Sequence, residues 1–169
     1  MAWSFDIRSA LLVGATLTLL IGVLLAVVAR AMPATFRPAL NWWVAATLTL
    51  PVGFVLLTQR DQLPAWITIA LANTLIAAAF AAYGVALRRF FGVPARSGLL
   101  LLAVGLGLAV SVHWGLVDPD LTRRLIAISV VLAWILAFGA WTIYRSPASR
   151  GPVRHVAGGA IAFSAAIMA

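Results

Sequence analysis

The sequence predicts an all-α, polytopic helical membrane protein, and three observations carry that reading. Of its 169 residues 64% are hydrophobic and 9% charged, more apolar surface than a water-soluble domain of this length buries. The charges are not scattered but collect in short segments between long uncharged runs. Aromatic residues, prolines and arginines punctuate the ends of those runs, as they do at membrane–water boundaries. Length allows one compact unit, read as a single transmembrane helical domain over 1–169.

The first run, 10–29, is uncharged for 20 residues. That exceeds the ~7–15 residues of a signal-peptide core, so it reads as a retained span. Arg30, Pro33, Arg37 and Pro38 make the first loop. The second span is expected at 40–57, opened by the interfacial pair Trp42 and Trp43. Pro51 lies inside it and leaves the Thr47 carbonyl without its amide partner, a candidate hinge or a static bend.

The third span, 66–87, runs 22 residues without a charge. At helical rise it covers about 33 Å, enough to cross a hydrocarbon core. Trp66 stands at its start, and Arg88, Arg89, Phe90 and Phe91 close it. Helical periodicity puts Ala70, Asn73, Ala77, Ala81 and Gly84 in one ~80° arc. Small residues around one amide are a helix-packing face in a membrane, so the Asn73 amide is expected to meet another helix, or else a ligand.

The fourth span is expected at 99–117, with His113 and the interfacial Trp114 in its last turns. Its Gly105-Leu106-Gly107 lacks the spacing and strand context of a dinucleotide fingerprint and reads as close helix approach. Asp120 is placed to cap the fifth span, 125–144, where Trp134, Phe138 and Trp141 share a face. That stripe packs against lipid and neighbours or lines a pocket. The sixth span, 155–169, is still apolar at the last residue and reads as truncated, with a seventh span expected beyond it.

Loops one, three and five hold eight arginines: Arg30, Arg37, Arg88, Arg89, Arg96, Arg145, Arg150 and Arg154. Loops two and four hold three, Arg60, Arg123 and Arg124, beside acidic residues. The positive-inside rule assigns the odd loops to the cytoplasm and the N-terminus to the outside. Asp6, Asp61, Asp118 and Asp120 then all face outward. The net charge of +8 orients the chain and meets anionic headgroups; it does not read as a nucleic-acid surface.

Several chemistries lack their residues. With no cysteine there is no disulfide, thiolate metal site or Cys nucleophile. With no lysine there is no retinal Schiff base. His113 and His155 fall at opposite membrane faces and cannot share one haem iron. No metal cluster, catalytic triad or phosphate loop appears, so no cofactor is expected in this chain. A proton-coupled transporter needs an intramembrane carboxylate or histidine, and every acid here lies at a span end or in a loop.

One stretch resembles a known region. Trp43 to Arg60, WVAATLTLPVGFVLLTQR, leads into Leu63-Pro64-Ala65-Trp66, then IALAN ending at Asn73, then GVALRRFFG from Gly84 to Gly92. This is similar to the N-terminal multi-helix sensor region that precedes GGDEF domains in bacterial diguanylate cyclases. The resemblance covers 43–92, with hydropathy agreement elsewhere. It implies a seven-helix sensor in the bacterial inner membrane, dimeric, with a cytoplasmic output that makes cyclic di-GMP from GTP and Mg. No GGDEF domain lies in these residues, so GTP and Mg belong to a downstream domain and the signal sensed stays unnamed. A small-molecule permease component and a structural membrane subunit are the alternative readings.

Overall fold

The computed structural model describes residues 6–94, 97–146 and 152–168. Among them every regular element is helical. Helix α1 spans Ile7–Ala31 and α2 spans Arg37–Thr58. A π-helical segment, Trp66–Leu71, opens α3, Ala72–Phe90. Helix α4, Ser97–Val112, runs into a second π segment, His113–Val117. Helices α5, Leu121–Arg145, and α6, Pro152–Met168, complete the described chain.

Five helical stretches are long and apolar enough to cross a membrane: Ile7–Ala31, Arg37–Thr58, Trp66–Phe90, Gly98–Val117 and Leu121–Arg145. α6 is 17 residues long and falls short of that length within the described residues. The helices begin several residues before the uncharged cores expected from sequence, because end residues do the capping. The Asp6 side chain accepts from the Arg8 amide at 3.0 Å, and Asp120 from the Arg123 amide at 2.9 Å. Donors from Arg8 and Ser9 hold the Asp6 carboxyl below the usual range, the Ser9 hydroxyl contributing most. Arg96, Arg150 and Ala169 lie outside the described residues, as does the side chain of Arg154.

The helices stack antiparallel in chain order. Among the described residues helix α1 packs on α2 alone and α6 on α5 alone, while α3 touches α2, α4 and α5. Close approach is set by small residues. The buried residues of α1 are Ala15, Gly22 and Ala29, one every seven positions, and a Cβ on Gly22 would stand 2.7 Å from Leu48 Cδ2. On the other face of α2, a Cβ on Gly53 would meet Ile76 Cγ1 at 2.7 Å and the Ala72 carbonyl oxygen at 3.1 Å. Ala81, Val85, Leu100, Ala103, Val131 and Ile135 form the core between α3, α4 and α5. Outward-facing Leu17, Leu20, Leu24, Leu101 and Ile126 remain exposed, as a lipid-facing surface requires.

Candidate functional site: two intramembrane cavities

The predicted interfacial tryptophans divide between the ends of the bundle. Trp42 and Trp43 start α2, where the Arg89 guanidinium lies 5.7 Å from the Trp42 ring and Tyr83 meets Trp43 edge-on at 6.3 Å. Trp66 opens the first π segment at the opposite end, and Trp114 sits in the second, its carbonyl accepting from the Asp120 amide at 3.1 Å. His113 belongs to this second end and His155 to the start of α6, so the histidines do not converge. Among the described residues no group of three His, Cys, Asp or Glu side chains could hold a metal.

The stripe on α3 divides as well. Ala77, Ala81 and Gly84 are buried against α4: a Cβ on Gly107 would lie 3.4 Å from that of Ala77, and one on Gly84 3.3 Å from Leu100. Asn73, one turn further toward Trp66, is half-buried and makes no side-chain hydrogen bond to another described residue. Instead its amide lines a cavity. The expected interhelical hydrogen bond is therefore absent among the described residues.

The first cavity, about 440 Å³, lies in the middle of the bundle. Thr18 and Ile21 of α1, Thr47 and Leu50 of α2, Tyr83 of α3, Gly139 of α5 and Ile161 of α6 bring five helices to it. Its walls are mostly apolar, with Thr18 and one linkage as the polar exceptions. The Tyr83 hydroxyl donates to Thr47 Oγ1 at 2.9 Å, and Thr47 donates to the Trp43 carbonyl at 2.8 Å. Pro51, buried, sits one turn beyond Thr47 within a helix that continues unbroken from Arg37 to Thr58. Because Pro51 has no N–H, the Thr47 carbonyl loses its ordinary helical partner at the cavity wall. Helices α1 and α6 flank this space without packing on each other among the described residues.

The second cavity, about 450 Å³, opens at the end that carries Asp61, Trp66 and Trp114. Arg8, Arg60, Asn73, Arg124 and Ser129 supply its polar lining. Arg8 pairs with Asp61 across the rim. Arg124 is 7% exposed and sits where the two π segments meet. A Cβ on Gly115 would stand 2.6 Å from Ile69 Cγ2, so glycine is what lets the two π segments meet, with Arg124 Nη1 beside them at 3.4 Å from that position. Sequence reading assigned Arg124 to a solvated loop with Arg123. The missed signal is position: Asp120 caps α5, which puts Arg124 a full turn inside the helix. π segments of this kind widen a helix and recur at functional sites.

A second arginine is buried for a different reason. Arg88, 2% exposed, donates from Nε to the Pro94 carbonyl at 2.6 Å and from Nη1 to Thr142 Oγ1 at 2.9 Å. Its guanidinium lies 4.8 Å from the Phe138 ring centroid. The Ser146 hydroxyl also donates to the Phe91 carbonyl at 3.3 Å. These bonds pin the end of α3 to the end of α5.

Together the apolar helices, the lipid-facing leucines and the two cavities define a helical membrane bundle with internal space. Comparison with protein-family models, with curated proteins and with solved structures finds no match to this chain.

Proposed function

We propose that this chain is the transmembrane input region of a bacterial signalling protein, set ahead of a cytoplasmic GGDEF-type diguanylate cyclase. On this reading it sits in the inner membrane with its N-terminus outside, as a homodimer, with a sixth span completed and a seventh added beyond residue 169. A membrane-borne or small-molecule cue shifts the helix packing, and the last helix passes the shift to the output domain. The single observation that supports it best is the 440 Å³ cavity, which gathers five helices around one Thr47–Tyr83 hydrogen bond beside Pro51. A space shared by so many helices gives a cue differential contacts with two packings, which is what a population shift requires. The eight-to-three loop arginine bias supports the orientation.

The reading frame beyond codon 169 supplies the first test: one further apolar span and then a soluble GGDEF-type domain are expected, and repeated further spans would point to transport instead. The second test is functional. Gly139→Leu and Thr47→Leu fill the cavity, and each is expected to change cellular cyclic di-GMP at matched expression of the full-length protein. Unchanged output in both would remove the input reading.

A further inference from the structure

The arginine-lined cavity carries a binding site of its own, whether or not the chain is a signalling input. Its polar groups are graded from rim to floor. Arg8 and Arg60 are exposed at the rim, Asn73 and Ser129 are half-buried, and Arg124 is buried at the floor. The Asp61 carboxylate is taken up by Arg8, so the rim pair is neutral. Arg60 and Arg124 leave two positive charges uncompensated.

Arg124 is the decisive group. Its Nε is fully enclosed and has no hydrogen-bond partner, and no carboxylate among the described residues is within ion-pair reach of its guanidinium. Asp120, the nearest acid in sequence, pairs with Arg123 at 3.2 Å instead. An enclosed guanidinium N–H without an acceptor is costly, and an anion held in the cavity beside it would offset that cost. Arg88 shows the alternative within the same chain: also buried, it is satisfied by a carbonyl, a hydroxyl and an aromatic face.

The remaining wall is apolar. Leu57, Ile69, Leu125 and Ile128 line the same cavity. Trp66 and Trp114 mark this end of the bundle as the membrane–water boundary, the depth of lipid headgroups. Asn73 lies seven residues along the helix from Trp66, about 10 Å further in. A small inorganic anion would satisfy the arginines and leave the apolar wall uncovered. We propose that this cavity binds an anionic amphiphile: a carboxylate or phosphodiester headgroup held by Arg124 and Arg60, with the Asn73 amide and Ser129 hydroxyl donating to it, and an acyl chain along Leu57, Leu125 and Ile128. A bilayer phospholipid and a free fatty acid share that chemistry.

The test uses the whole chain in a neutral maltoside detergent, with thermal unfolding followed during titration with amphiphiles. Dioleoylphosphatidylglycerol or oleate is expected to raise the midpoint, while dioleoylphosphatidylcholine and oleyl alcohol, matched in chain and neutral in charge, leave it unmoved. A response to phosphatidylglycerol alone assigns a lipid phosphodiester, and one to oleate alone assigns a free carboxylate; both support the site. Arg124→Gln is expected to weaken binding about tenfold or more, in line with a lost charge-assisted hydrogen bond. Arg60→Gln, at an exposed position where substitutions are usually well tolerated, is expected to weaken it several-fold and decides the matter if Arg124→Gln does not fold. Asn73→Asp supplies an internal counter-anion, so it should raise the midpoint of the lipid-free chain and abolish the response to anionic amphiphile. Equal stabilisation by charged and neutral amphiphiles, or by inorganic phosphate alone, would overturn the proposal. So would undiminished binding by Arg60→Gln and a folded Arg124→Gln.

Discussion

Arg88 Nη1 donates to Thr142 Oγ1 at 2.9 Å, while the same hydroxyl donates to the Phe138 carbonyl at 2.9 Å. The bond crosses from α3 to α5 at a site where Thr142 is 1% exposed. Thr142→Val keeps the shape and removes the acceptor, leaving one guanidinium N–H without this partner. The expected cost is about 1–3 kcal/mol. Arg88→Lys, which cannot reproduce the forked donation to Pro94 and Thr142, is expected to cost at least as much. Thermal unfolding in detergent measures both, and no loss in either variant would show that the clamp is dispensable.

The stripe on α3 makes a second prediction, and it separates two neighbours. Ala77 meets α4 at close range, so Ala77→Leu is expected to cost about 1–3 kcal/mol through overpacking. Asn73→Leu points into open space and should cost less than 1 kcal/mol, roughly the upper end of a single membrane hydrogen bond. Chemical denaturation of both variants in the same detergent gives the order; a larger loss at position 73 would mean that its amide is held by another helix.

Glycines on α2 and α4 give opposite expectations for the same substitution. At Gly53 a methyl would press on the Ala72 backbone oxygen, and at Gly105 it would meet nothing within 4 Å. Gly53→Ala should destabilise by about 1–3 kcal/mol, and Gly105→Ala should stabilise by up to about 0.5–1 kcal/mol. Comparing unfolding midpoints checks the sign at each site.

Orientation is read directly with reporter fusions. Fusions after Gly92 and Ser146 should report cytoplasm, and one after Asp61 should report periplasm, following the distribution of loop arginines. The reverse result at two of the three would invert the bundle and place the arginine cavity on the inner face.

A final expectation concerns catalysis. The purified 169-residue chain should form no cyclic di-GMP from GTP and Mg, because on the proposed reading that chemistry belongs to a domain outside these residues. Product detected by chromatography above a no-protein control would reveal a site among these helices.

The helices were legible in the sequence because a bilayer imposes length and apolarity on each span, and both can be read without knowing any neighbour. Trp66 and Trp114 fall at the π segments near the ends of their apolar stretches, where the sequence pattern expects them. The π segments were not legible: which helix widens depends on what it must pack around, here Ile69 against Gly115. The two arginines were misjudged because charge alone suggests exposure. Arg88 is buried by partners 6 and 54 residues away, and Arg124 by a glycine on another element. Asn73 stands out in the sequence as the one amide in its span, but its surroundings depend on Arg8, Arg60 and Arg124, none adjacent to it in sequence.

The bundle has a fixed hub and two leaves. Helices α2 to α5 hold one another through α3, whereas α1 and α6 each lean on a single neighbour. Tilting either leaf breaks contact with one helix only and changes the width of the gap between them. Ile21 and Ile161 line the central cavity from the two leaves. On the proposed input reading, a change in bilayer thickness or stiffness would act on these two outer helices before it reaches the hub.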